Sequence, residues 1–121
     1  MVLDTNILIA FLNQERGVNG AILSWKMSGI PLFISSITVG ELLSSPNLSS
    51  ADIDVILRLI GTFSSIAFDN QHATVAGEIR RKYNLELPDA GIIATAIQRG
   101  VRVVTRDKQM QKVKEVDFVQ I

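Results

Sequence analysis

Short apolar runs alternate along the chain with longer stretches in which apolar residues recur every three or four positions. The short runs predict five strands, at residues 1–3, 31–35, 66–68, 101–105 and 116–121. The periodic stretches predict helices at residues 6–12, 21–28, 37–43, 51–61, 89–98 and 108–113, and a further helix from Asp69 or Asn70 to about Tyr83. Strands that alternate with helices form βαβ units, whose right-handed crossovers place helices on both faces of a parallel sheet. The pattern therefore predicts a three-layer α/β/α sandwich with a five-stranded parallel sheet.

Polar and small residues indicate where some of these elements begin or end. Ser36 is predicted to cap the third helix. Gly17 and Gly20 bracket polar residues, which predicts a loop at residues 15–20. His72 falls in the first turn of its helix, and we expect it at the surface.

The composition is typical of a globular protein. The 121 residues are 47% hydrophobic and 20% charged, and we expect them to form one domain, residues 1–121. No apolar run approaches the ~18 residues of a membrane span, and the N-terminus lacks the basic segment of a secretory signal. Cysteine is absent, which excludes disulfides and thiolate metal sites and is compatible with a reducing cytoplasm. We therefore expect a cytoplasmic protein with no membrane association.

Four acidic residues fall at or near the junctions where strands lead into helices, namely Asp4, Glu41, Asp89 and Asp107. Asp4 lies between two apolar runs, where an unpaired carboxylate is unfavourable. Each of the other three, taken alone, has an ordinary explanation as a helix start, a helix cap or the edge of an amphipathic helix. Because the carboxyl ends of parallel strands meet at one edge of a sheet, we expect the four acids to lie close together. Their mutual repulsion calls for a cation, and a hard divalent ion is suited to oxygen ligands.

Hydroxyl and amide side chains accompany these acids. Thr5, Asn6, Thr38 and Thr105 can donate hydrogen bonds to carboxylates or orient metal-bound water. The chain has a single histidine, His72, and no cysteine, so no zinc site is expected. A carboxylate-held Mg²⁺ keeps several waters and can both activate a nucleophile and neutralise charge on a phosphoryl oxygen. The residues therefore indicate metal-assisted hydrolysis of a phosphodiester.

The charge balance qualifies this interpretation. The formal net charge is zero, with 12 basic and 12 acidic residues, which is too neutral for a nonspecific nucleic-acid coat. If four acids bind metal, 12 basic residues remain against 8 acidic ones, and six of the basic residues lie within positions 99–114. A solvated surface would explain that segment, but it would also suit a phosphodiester backbone. The residues expected to contact nucleic acid are Arg102, Arg106, Lys108 and Lys112.

Four segments resemble, in order and at similar spacing, the motifs of PIN-domain ribonucleases, and among these the small VapC-type toxins of prokaryotic toxin–antitoxin pairs. The segments are Asp4-Thr5-Asn6, residues 37–43 around Glu41, residues 88–96 beginning with Pro88-Asp89, and residues 104–107 ending at Asp107. The resemblance runs from Met1 into the last predicted strand. Two features depart from the family pattern: Asp4 comes unusually early, and Gly91 replaces what is often a bulkier apolar residue.

The resemblance implies a sheet ordered 3-2-1-4-5 and an endoribonuclease that cleaves RNA. It implies that Asp4, Glu41, Asp89 and Asp107 hold Mg²⁺ or Mn²⁺, and that Asn6 and Thr105 support the site. It also implies a homodimer and a cognate antitoxin protein that blocks the site.

Two other interpretations stay open at this point. A receiver-type phosphoacceptor domain is also doubly wound and acid-rich, and Asp69 follows the third predicted strand, where a phosphoacceptor would lie. That class, however, needs an acidic pair after the first strand, where this chain has only Asp4. A non-catalytic PIN-fold module that binds RNA or protein is the second alternative.

Overall fold

The computed structural model describes every residue from Met1 to Ile121. Its strands are β1 (Val2–Leu3), β2 (Phe33–Ser35), β3 (Ser64–Ile66), β4 (Val103–Val104) and β5 (Phe118–Val119). Its helices are α1 (Thr5–Leu12), α2 (Arg16–Met27), α3 (Ser36–Leu42), α4 (Ser50–Ile60), α5 (Asn70–Tyr83) and α6 (Leu87–Arg99), and a 3₁₀ turn spans Met110–Lys112. None of the helices combines the length and the apolar composition that crossing a membrane requires.

The five strands form one parallel sheet in the order β3-β2-β1-β4-β5. This order confirms the one implied by the family resemblance. It excludes the receiver-type alternative, whose sheet is ordered 2-1-3-4-5. The central strand is β1, in which Val2 is in register with Phe33 on one side and Val103 on the other. The residue that follows β1 therefore emerges from the middle of the sheet.

Successive residues of the central strands face opposite layers, as the two-residue period of a strand requires. Leu3 and Val104 pack into an apolar cluster with residues of α1, α2 and α4. Val2 and Val103 pack into a second cluster with residues of α5, α6 and the 3₁₀ turn. The helices therefore cover both faces of the sheet, which confirms the predicted three-layer sandwich.

Helix α6 lies against the sheet along most of its length, since residues 90–96 are all buried. Pro88 occupies its first turn and Gly100 ends it in the left-handed conformation, at φ 69°. Gly91 is required by packing, because a Cβ atom there would overlap Ile37 Cδ1 and lie 3.1 Å from Phe68 Cε2. The departure from the family pattern at Gly91 thus allows α6 to approach α3 closely.

Two predicted boundaries are wrong, and burial explains both. Residues 15–20 are not a loop, because α2 begins at Arg16 and runs through both glycines. Val18 and Ile22 in that helix are completely buried, and this packing outweighs the low helix propensity of glycine. The third strand lies at Ser64–Ile66 instead of 66–68. It is an edge strand with exposed serines, so its sequence lacks the apolar signal of a strand.

The remaining differences concern helix ends. Ser35, instead of Ser36, caps α3 by accepting a hydrogen bond from the Ile37 amide. The predicted helix at 108–113 is only the 3₁₀ turn. His72 is buried, not at the surface, and forms a capping box: its Nδ1 accepts a hydrogen bond from the Asp69 amide, and the Asp69 carboxylate accepts one from the His72 amide. Asp69 is thus engaged as a helix cap.

Candidate active site

Asp4 follows the central strand and caps α1. Its Oδ1 accepts a hydrogen bond from the Thr5 amide at 2.7 Å, and its Oδ2 accepts one from the Thr105 hydroxyl at 2.6 Å. The residue is only 4% exposed. Burial raises the pKa of Asp4, and the negative charges of Glu41 and Asp107 add to the rise, although the two hydrogen bonds oppose it. Two hydrogen bonds therefore hold this carboxylate in a fixed position, although its negative charge is unfavourable there.

Thr105 connects Asp4 with Asp107. Its hydroxyl lies at the end of β4, fully buried, and besides donating to Asp4 it accepts a hydrogen bond from the Asp107 amide at 3.0 Å. Asp107 Oδ1 accepts a hydrogen bond from the Gln109 amide at 2.8 Å. Asn6 Nδ2 lies 3.5 Å from the same hydroxyl, and the Oδ1 atom of Asn6 is buried without a hydrogen-bond partner. One hydroxyl thus positions two of the acids.

Glu41 reaches the same region from α3. The residue itself is exposed, but its Oε1 accepts a hydrogen bond from the Thr5 hydroxyl at 2.6 Å. Thr5 Oγ1 also lies 3.0 Å from the hydroxyl of Thr38, which is fully buried. Because the Thr5 proton is donated to the carboxylate, Thr38 serves as the donor to Thr5. Two hydroxyls in series therefore orient the Glu41 side chain.

Asp89 lies in the first turn of α6, partly buried, and its carboxylate makes no hydrogen bond within the protein. Its pKa is raised from 3.8 to about 6. Burial is the largest cause, followed by the negative charges of Asp4, Asp107 and Glu41 and then of Glu86. Glu41 and Asp107 therefore act electrostatically on both Asp4 and Asp89, and Asp4 also acts on Asp89.

No basic side chain compensates these four charges. The three ion pairs of the protein are His72–Asp69, Lys82–Glu115 and Arg106–Glu15, and none includes an acid of the cluster. The available ligands are carboxylate oxygens, with the unpartnered Asn6 amide oxygen beside them. This donor set fits a hard divalent cation. No three of the carboxylates surround a single point in the structure, so a shared cation requires side-chain rotation.

Of the four basic residues expected to contact nucleic acid, Arg102 lies apart from Arg106 and Lys108, which both follow β4 and contact the last two residues of the chain. Arg102 precedes β4, at the opposite end of the strands from the acids. Burial is the main cause of the lowered pKa of the Met1 amino group there, and the positive charge of Arg102 lowers it further. Arg106 follows β4 but is paired with Glu15 at 2.7 Å. Lys108 and Lys112 are exposed, and each donates to a glutamine side chain.

One wall of the site was not predicted from the sequence. A cleft beside Asp89 and Asp107 is also lined by the connection between α5 and α6, residues 84–86. The only signal for it in the sequence is the position of this connection directly before the apolar helix that carries Asp89.

Comparisons with known proteins agree with this geometry. The model of the PIN domain family matches residues 1–116. No curated protein sequence shows significant similarity to the chain. Among solved structures, a chain of a toxin–antitoxin complex from Klebsiella pneumoniae is 29% identical, with a TM-score of 0.81 over 95% of this chain and 93% of that one.

Two more distant structures share the fold. One contains VapBC2 from Rickettsia felis bound to a DNA fragment from its promoter, at 18% identity and a TM-score of 0.86, covering 99% of this chain and 97% of that one. The other is DNA-bound VapBC from Salmonella typhimurium, at 23% identity and a TM-score of 0.82, covering 98% and 96%.

Proposed function

The chain belongs to the PIN domain family, and from this premise we propose that it is a divalent-metal-dependent endoribonuclease, the toxin of a VapBC-type toxin–antitoxin pair. The observation that carries the proposal is the coupling of Asp4, Glu41, Asp89 and Asp107 without a basic partner. A protein that only bound RNA would gain nothing from four uncompensated carboxylates facing a polyanion.

The acids would hold Mg²⁺ or Mn²⁺, and the hydroxyls of Thr5 and Thr105 would keep Glu41 and Asp4 oriented toward it. When bound, such an ion neutralises charge on the phosphoryl oxygens and lowers the pKa of water. The substrate is the RNA phosphodiester, and water is the nucleophile that displaces the leaving oxygen in line. Asn6 is placed to orient a water or a ligand through its unpartnered amide oxygen.

The partners follow from the same assignment. The Klebsiella pneumoniae relative is part of a toxin–antitoxin complex, and we propose a cognate antitoxin for this chain as well. We also propose a homodimer acting in the cytoplasm, where RNA substrates are found.

The decisive experiment measures cleavage of RNA by the wild type and by Asp4→Asn with Mg²⁺ or Mn²⁺. Cleavage should require the metal, stop in EDTA and be lost in the variant. Asp54→Asn is the matched control, because Asp54 is an exposed acid in α4 outside the cluster. Undiminished cleavage by Asp4→Asn would contradict the assignment. Tight RNA binding without cleavage under any divalent metal would instead favour the non-catalytic module.

A further inference from the structure

We propose that Arg80 and Arg81, at the end of α5, form a binding surface for the sugar–phosphate backbone of single-stranded RNA that continues from the acid cluster. The inference rests on the proposed function for its choice of ligand. It differs from the sequence-based expectation, which placed the RNA contacts after residue 101.

The two arginines lie on one face of α5. Residues three and four positions apart are neighbours on a helix surface, so Gly77, Arg80, Arg81 and Asn84 form a single stripe. These four residues and Leu87 line one cleft. Asn84 also lines the cleft that holds Asp89 and Asp107, so the two clefts meet at this residue. A strand whose phosphodiester lies at the acids can therefore extend directly onto the arginines.

The charges on this stripe are available to a ligand. Arg80 and Arg81 are exposed and take part in no ion pair, whereas the neighbouring Lys82 is bound to Glu115 at 3.0 Å. Among the previously expected contacts, Arg106 is likewise neutralised, by Glu15. A positively charged track beside the cleavage point is what nonspecific binding of a single strand requires.

Two features of the surface suit a backbone and not a compact ion. Gly77 leaves the helix face open, because a Cβ atom there would have no neighbour within 4 Å. Leu87 is 51% exposed at the far side of the cleft, where it can contact a base or a ribose. The cleft thus offers two cations, an open backbone surface and one apolar side chain.

Binding is measured in EDTA, which prevents cleavage, by fluorescence anisotropy of a labelled single-stranded RNA of about 20 nucleotides, longer than a typical ~4–16 nucleotide site. Each lost phosphate contact lowers the slope of log affinity against log salt by ~0.7 for a single strand. For the double variant Arg80→Gln/Arg81→Gln, the slope of log affinity against log salt concentration should therefore be smaller in magnitude than that of the wild type by ~1.4. Between about 50 and 200 mM salt the wild-type affinity should fall ~7-fold more than that of the variant.

A second pair of variants separates binding from helix stability, since basic residues in a last helical turn also stabilise the helix dipole. Gly77→Glu places a carboxylate four residues before Arg81, where it can pair with that arginine. Gly77→Ala is its control, and both should favour the helix. We expect weaker RNA binding for Gly77→Glu only. Arg58→Gln, an exposed arginine in the last turn of α4, controls for general loss of charge.

The outcome is independent of the proposed activity. Unchanged affinity and salt slope in the double variant and in Gly77→Glu would overturn the inference even if the wild type cleaves RNA with Mn²⁺. Reduced binding in both would support it even if no cleavage is found, and the proposed function would then fail alone. In the cleavage assay, the arginine variants should raise KM and leave kcat unchanged, because the contact is remote from the reacting bond.

Discussion

Replacing Asp89 by asparagine should stabilise the metal-free protein at neutral pH while weakening its binding of divalent metal. Asp89 has no hydrogen bond that the substitution would remove, and asparagine is nearly isosteric. What the substitution eliminates is a negative charge that is partly buried and repelled by Asp4, Asp107 and Glu41. The same residue that favours metal binding should therefore oppose folding when metal is absent.

The magnitude follows from the pKa of Asp89, which rises from 3.8 to about 6 on folding. Between these values the folded state keeps a proton that the unfolded state has released, so the free energy of unfolding falls as pH rises and levels off above pH 6. At ~1.36 kcal/mol for each unit by which the pKa changes, the full shift corresponds to a free energy of ~3 kcal/mol. Because the side chain is partly exposed, solvent screening reduces this to about 1–2 kcal/mol.

Urea unfolding in EDTA across pH 4 to 8 tests the prediction. The stability advantage of Asp89→Asn should be close to zero near pH 4 and reach about 1–2 kcal/mol by pH 7.5. Asp54→Asn, in an exposed position of α4, should show no such pH-dependent gain. Mn²⁺ at a hundredfold excess over its Kd should add ~2.7 kcal/mol to the wild type and less to the variant. An Asp89→Asn protein that is less stable at pH 7.5, by an amount independent of pH, would refute the electrostatic reasoning.

Two further predictions concern packing and orientation. Gly91→Ala should destabilise the protein by about 1–3 kcal/mol in urea unfolding, because the added methyl group overlaps Ile37, whereas Gly77→Ala, in open space, should not destabilise it. Equal effects of the two alanines would contradict this account. Thr38→Val should lower Mn²⁺ affinity by ~10-fold in a calorimetric titration, because the donor that orients Glu41 through Thr5 is lost. Thr38→Ser should restore the affinity, and failure of that rescue would assign Thr38 a packing role only.

The location of two of the acids could be predicted, because it follows from a simple rule. All strands of a parallel sheet end on the same side, so an acid shortly after a buried strand lies on that side. Asp4 and Asp107 follow β1 and β4 in this way. The strand order needed the family resemblance, since the hydrophobic pattern cannot tell which strands are neighbours.

The basic residues could not be placed by their proximity in the sequence. Arg102 and Arg106 are only four positions apart, but β4 lies between them. At ~3.3 Å per residue of extended chain, the four positions from Arg102 to Arg106 span about 13 Å and carry the two side chains to opposite ends of the strands. The helical conformation of residues 16–20 was missed for a related reason, because the burial of Val18 is a tertiary effect. The pattern of apolar and polar residues along the chain shows neither the spatial separation of the two arginines nor the burial of Val18.

The site consists of a fixed part and an adjustable part, and this division indicates how it can combine a stable fold with metal binding. Asp4 and Asp107 are held by Thr105 and by backbone amides, on short connections from the central strands. Asp89 has no such support, and Glu41 is held at one oxygen by Thr5. Since no three carboxylates surround one point, binding a shared cation is expected to move the less constrained pair. The repulsion that raises the pKa of Asp89 would then be relieved without moving the buried strands, so the cation can leave and return while the core stays intact.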